Sequence, residues 1–233
     1  MVVMDSPLSC PQWNTTPPRS QNEEWINTLT HGFGLLLSVC GTLILCFRAA
    51  ASESFILLLG SIIYSSSLIL VYLISNLSHA IQSPAWKFRW RVLDQGFIYL
   101  LIAGSYTGFS LPLLAIRRNQ YLLMMIWVLA LVCFFHRTVI RAQSDQNGTI
   151  SYLALGWIPI FTFYGSAALI PPAAIFWLIV GGLCYTTGVV FLLFDQRVPY
   201  FHAVWHLFVI LASISHFLGI YQIVITLGLE CRV

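Results

Sequence analysis

Charge is what this sequence has least of. Lysine, arginine, aspartate and glutamate make up 8% of its 233 residues, against roughly 25% in an ordinary soluble domain. So few charges leave too little polar surface to face water, which excludes a soluble enzyme and a disordered chain. The net charge of +3, from 11 basic against 8 acidic residues, is too small and too dispersed to neutralise a phosphate backbone, so a nucleic-acid binder is excluded as well. Cysteine chemistry is equally thin. Cys10, Cys40, Cys46, Cys133, Cys184 and Cys231 show no C-x-x-C spacing, and four of them fall in apolar runs, where a small buried side chain is their ordinary role. Period-two alternation with regular turns is also missing, which leaves helices as the structures able to satisfy their backbones within lipid.

What is present is apolar. The chain is 58% hydrophobic with a mean hydropathy of +0.83, and a spanning helix needs about 20 such residues. Runs with little or no charge occupy about Thr30–Phe47, Phe55–Ser78, Gln95–Ile116, Tyr121–Phe135, Ile150–Ile170, Ala173–Phe194 and Val198–Leu229. The fourth is short unless it extends towards Arg141. No charged residue separates Asp145 from Asp195. That stretch is too long for one helix, and Pro171-Pro172 is its natural break. The expected fold is therefore all-α, a polytopic membrane protein built as a seven-transmembrane-helix bundle. A flexible polar tail is expected over residues 1–22, without the apolar core of a signal peptide, and the membrane domain over residues 23–229. With the N-terminus cytoplasmic, the cytoplasmic side carries seven Lys/Arg (Arg19, Lys87, Arg89, Arg91, Arg137, Arg141, Arg197) and the opposite side four, the bias expected of an inner face. Trp25, Trp86, Trp90 and Trp157 fall near span ends, as an interfacial belt would.

Ionisable residues within apolar runs are costly in lipid and so mark function. His202-x-x-x-His206 opens the last span, and residues four apart share one helix face, so both imidazoles can reach one ion. Ser75-x-x-x-His79 closes the second span one turn apart, and Asp94 opens the third. Up-and-down topology brings the end of span two and the starts of spans three and seven to the same membrane level, on the cytoplasmic side. Three histidines with a carboxylate suit a divalent metal, zinc above others, with a fourth position left open for chemistry. Asp94 would then hold or deprotonate the activated water, and Ser75 would orient it or polarise a carbonyl. The alternative is histidines that are merely wet or hydrogen-bonded to backbone. Thr30 and His31 read as capping or packing residues. Glu24 and Asn27 suit the first turn of a helix, and His136 suits a snorkelling position. His216 lies about 280° around the wheel from His206 and is expected to face away from the His202/His206 edge, as a hydrogen-bonded residue of the bundle.

These residues also resemble a known family. Glu24-x-x-Asn27-x-x-Thr30-His31-Gly32, Ser75-x-x-x-His79, Asp94, Ala103-Gly104-Ser105-Tyr106-Thr107, Gly181-Gly182-Leu183-Cys184-Tyr185-Thr186-Thr187-Gly188, Pro199-Tyr200-Phe201-His202 and His202-x-x-x-His206 are similar to motifs of the hemolysin III family. That family belongs with the progestin and adipoQ receptors (PAQR). The resemblance covers about residues 23–226. It implies a bacterial-type plasma-membrane member with seven helices and zinc held by His79, His202 and His206. Asp94 would lie near the metal-bound water, with Ser75 in the same pocket. It further implies membrane lipids as partners and a metal-dependent hydrolase of a lipid amide or ester, ceramidases being among the wider superfamily. Two alternatives remain open at this point: a non-enzymatic membrane sensor or regulator with structural zinc, and a cytolytic protein.

Overall fold

The computed structural model describes residues 19–140, 148–163 and 166–230. Most of the expected tail, together with Cys10, Arg141, Asp145 and Cys231, lies outside the described residues. Helices account for nearly all that is described: α1 (Gln21–Ala51), α2 (Phe55–Ala80), α3 (Pro84–Ser110), α4 (Arg117–Phe135), α5 (Gly148–Trp157), α6 (Ile160–Phe163), α7 (Pro172–Phe194) and α8 (Phe201–Glu230). A 3-10 turn, Leu111–Leu113, extends α3, and a π-helical turn, His136–Ile140, extends α4. Six of these helices are long and apolar enough to cross a membrane, and no strand occurs among the described residues.

Local chemistry sets the helix ends. Ser20 caps α1 in a capping box: its hydroxyl accepts from Glu23 N at 3.3 Å while Glu23 Oε2 accepts from Ser20 N at 3.0 Å. That box starts α1 nine residues before the charge-free run at Thr30, because capping, and not apolarity, governs where a helix begins. α2 starts at a Ser54 cap. Pro84 opens α3, where a missing N–H does no harm; Lys87, Arg89 and Arg91 are therefore helical.

The helices are inside-out relative to soluble ones. On α1, Trp25, Leu29, Phe33, Leu36, Leu43 and Phe47 are 56–74% exposed, while Glu24, Asn27, His31, Gly34 and Ser38 are buried. An exposed apolar stripe opposite a buried polar face is stable only when lipid is the outer solvent. Around the bundle, α1 packs on α2, α2 on α3, α3 on α4 and α5, α5 on α7, α7 on α8, and α8 back on α1. The apolar window of α3 is 72% buried against 17% for α4 and α7, so α3 is the central post and α4 lies at the edge. Gly34 lets α1 and α2 meet closely, since a methyl group there would overlap the Tyr72 ring.

The stretch expected as a single fifth span, Ile150–Ile170, is divided. α5 ends at Trp157, a turn follows at Ile158 and Pro159, and α6 and the 3-10 turn Ala167–Leu169 complete it. Proline removes a backbone donor and breaks the ladder. Side-chain bonds tie the segment to three helices. Tyr152 hydroxyl donates to Gln95 O at 3.0 Å near the middle of α3, Trp157 Nε1 donates to Thr186 Oγ1 at 3.2 Å in the second half of α7, and Arg118 Nη2 donates to Ser166 Oγ at 3.2 Å at the start of α4.

Candidate metal centre

The end of α2 and the first turns of α8 bring three imidazoles together. The ligand atoms of His79, His202 and His206 all lie within 4.8 Å of one another, a spacing that one metal ion can bridge. Ring centroids are 5.1 Å apart for His79–His202, 5.1 Å for His79–His206 and 4.6 Å for His202–His206. His79 and His206 are buried, and His202 is partly so.

Each ring is oriented by a partner on its Nδ1. His79 Nδ1 donates to Glu24 Oε2 at 2.7 Å, and His202 Nδ1 donates to Asp195 Oδ2 at 2.7 Å. The Thr30 hydroxyl donates to backbone carbonyls of its own helix, so its oxygen is left to accept from His206 Nδ1 at 3.0 Å. With Nδ1 protonated on all three, Nε2 carries the lone pair. That is the tautomer a metal needs and the reason ligating histidines have such partners.

The partners are themselves anchored. Glu24 Oε1 accepts from Arg91 at 2.6 Å and pairs with Lys87 at 3.1 Å, which stabilises a carboxylate buried to 5% exposure. Arg19 pairs with Asp195, and its Nη2 comes to 3.0 Å from His202 Nδ1 because both approach the same Oδ2. Burial pushes the Asp195 carboxyl above the usual carboxylate range despite that arginine. Tyr200 adopts φ 65° in the turn before α8, a conformation that needs outside support. Its amide supplies some by donating to Glu23 Oε1 at 3.0 Å.

Asp94 and Ser75 line the same cavity as the three histidines. Ser78 Oγ lies 3.4 Å from Asp94 Oδ2. The five residues singled out in the sequence thus share one end of the bundle. His31 stacks on the back of His206, centroids 3.5 Å apart and rings 25° from parallel. Exposed His136 lies away from the site. Sequence reasoning missed the orienting roles of Glu24, Thr30 and Asp195. It also read Lys87 and Arg91 as setting topology, with weak contact to anionic lipid, whereas both pair with Glu24. The signal for Glu24 was its register with Asn27 and His31 at i, i+3 and i+7, a polar stripe opposite the apolar one. From this end a cavity of about 400 Å³ runs between α3, α5, α7 and α8, within the range of ligand-binding clefts.

Fold and site together define a multi-pass helical protein of the cell membrane with a three-histidine cluster able to hold a metal. The family model described as haemolysin-III related matches residues 19–217, and the chain belongs to that family. It is 34% identical to hemolysin-3 of Bacillus cereus over 195 residues, covering 84% of this chain and 89% of the relative. It is 33% identical to the hemolysin-3 homolog of Bacillus subtilis (strain 168), covering 84% and 91%. More distantly, it is 25% identical over 211 residues to the monocyte to macrophage differentiation factor of Homo sapiens, covering 86% and 84%, in keeping with the wider PAQR superfamily. No solved structure matches this chain significantly.

Proposed function

We propose that the chain is a zinc-dependent hydrolase of a lipid amide or ester, with His79, His202 and His206 as ligands and Asp94 and Ser75 acting on the substrate. The observation that carries this reading is the set of three imidazoles, each with Nδ1 tied to a partner, beside a carboxyl at the head of a largely apolar cavity. All-nitrogen donors at this spacing suit zinc, which would supply Lewis acidity and an activated water. Asp94 takes a proton from the attacking water and returns it to the leaving group. Ser75 donates to the carbonyl oxygen as charge develops there. The apolar walls seat the acyl chain and exclude bulk water. The divided segment between α4 and α7 makes a seventh pass, because α4 ends beside Gln95 and α7 must start at the other face for Asp195 to meet Arg19. Broken helices are tolerated at membrane depth where they line a cavity.

The test is metal analysis and fatty-acid release on purified protein. About one zinc per chain is expected, lost in His79→Ala and His202→Ala, with release from a broad lipid panel by wild type. Asp94→Ala is expected to keep zinc and release nothing. Stoichiometric zinc without release from any lipid overturns the hydrolase. It would leave the second reading, a structural ion clamping α2 to α8 in a membrane sensor, which the origin of the ligands on those two helices favours. The haemolysis in the names of the Bacillus relatives is tested here by dye leakage from liposomes carrying the protein.

A further inference from the structure

The same cavity has a second polar end. His216 lies ten residues beyond His206, about 15 Å along α8, and lines the cavity that the metal cluster opens. The wheel angle that set it apart in sequence is only 80° short of a full turn, and the cavity is wide enough to admit both directions. Its ring stands edge-on to Phe109, centroids 5.6 Å apart, and to Tyr185, 5.5 Å apart. Neither ring nitrogen has a partner of ordinary hydrogen-bond geometry among the described residues. Gly181 seats the ring, since a methyl group there would overlap it. Beside it, Ser213 gathers three tyrosines: its Oγ accepts from Tyr72 at 3.0 Å and lies 3.2 Å from Tyr185 OH, while its carbonyl accepts from Tyr64 at 3.2 Å. Those hydroxyls satisfy one another. His216 is the group left over, and it faces a space walled by Ile175, Leu178 and Val209.

A neutral imidazole offers one donor and one acceptor, the complement of an alcohol. We infer that this deep end recognises a hydroxyl carried on the long chain of the lipid, with His216 as the residue that binds it. With C–C bonds of about 1.5 Å an extended chain advances about 1.25 Å per carbon, so the hydroxyl sits roughly a dozen carbons from the head group. The inference rests on the lipid reading of the metal centre and specifies which lipid that site takes. A buried site built to bond a hydroxyl discriminates against the chain that lacks one.

Binding, not turnover, tests it. Octadecanoic acid and its 3-hydroxy and 12-hydroxy derivatives are titrated calorimetrically into the full chain in detergent. The 12-hydroxy acid is expected to bind about 5-fold more tightly than the unsubstituted acid, and the 3-hydroxy acid, whose hydroxyl stays at the metal end, is expected to gain nothing. His216→Phe brings the 12-hydroxy preference to about one, whereas His216→Gln, which keeps a donor and an acceptor, retains part of it. Unaltered metal content shows that the variants fold, and the positional series in wild type needs no variant. A 12-hydroxy preference absent in wild type, equalled by the 3-hydroxy acid, or undiminished in His216→Phe overturns the inference. The preference is expected to persist in His79→Ala, so a failure of the zinc chemistry leaves it standing. If none of the acids binds, the inference and the lipid reading fall together.

Discussion

At the end of the cavity nearest Arg19, each of the three clustered imidazoles is held through Nδ1 by Glu24, Asp195 or Thr30. At the other end, His216 is positioned by aromatic edges and a bare glycine. The first arrangement fixes tautomer and direction before anything binds, which is what a metal or a reacting group demands. The second fixes the place of the ring and leaves its nitrogens uncommitted, which suits recognition of a group that arrives with the ligand. One helix, α8, carries both, and the difference lies in what the neighbouring helices present to it.

The comparison breaks or sharpens under substitution. The largest expected effect is Asp94→Asn: metal content unchanged, with kcat for lipid hydrolysis lowered about 10²- to 10⁴-fold, the usual worth of a proton-transferring group. Glu24→Gln and Asp195→Asn are next. Each leaves a ligand ring in place without its charged acceptor, and each is expected to weaken zinc binding by about 10- to 100-fold in chelator competition. A loss no larger than that of a surface variant would show that the rings need no orienting, and the contrast between the two ends would vanish. Gly181→Ala is the smallest for the centre itself. Crowding the His216 seat is expected to lower stability by about 1–3 kcal/mol in a detergent unfolding titration, with zinc affinity within about 2-fold of wild type.

Much of this was legible in the order of residues. The i+4 pairs Ser75/His79 and His202/His206, with Asp94, fall at one end of an up-and-down bundle by counting alone. The partners were not legible, because Glu24, Thr30 and Asp195 reach the cluster from α1 and the α7–α8 turn, and no local period specifies a contact across such separations. Glu24 was visible as a first-turn acid; that it faces inward follows only from seeing that the apolar side of α1 faces lipid. The divided fifth segment hid behind its lack of charge, although Pro159 stood within it and proline interrupts a helix however greasy its neighbours. His216 was misplaced because a wheel describes directions around one axis and says nothing of how wide the neighbouring space is.

The short pieces α5 and α6 have a mechanical consequence. The sides that α3, α7 and α8 give the cavity are long helices whose every turn braces the next, whereas the wall containing Gly156, Trp157, Pro159 and Ile160 is jointed at Ile158-Pro159. Bending at a joint disturbs few amide pairs, so this panel is expected to be the compliant one, with its backbone amides deuterating ahead of those of α2 and α3 in a hydrogen-exchange experiment. A greasy tail too long to thread past Arg19 and Asp195 would find its way in sideways there, through the one side that yields.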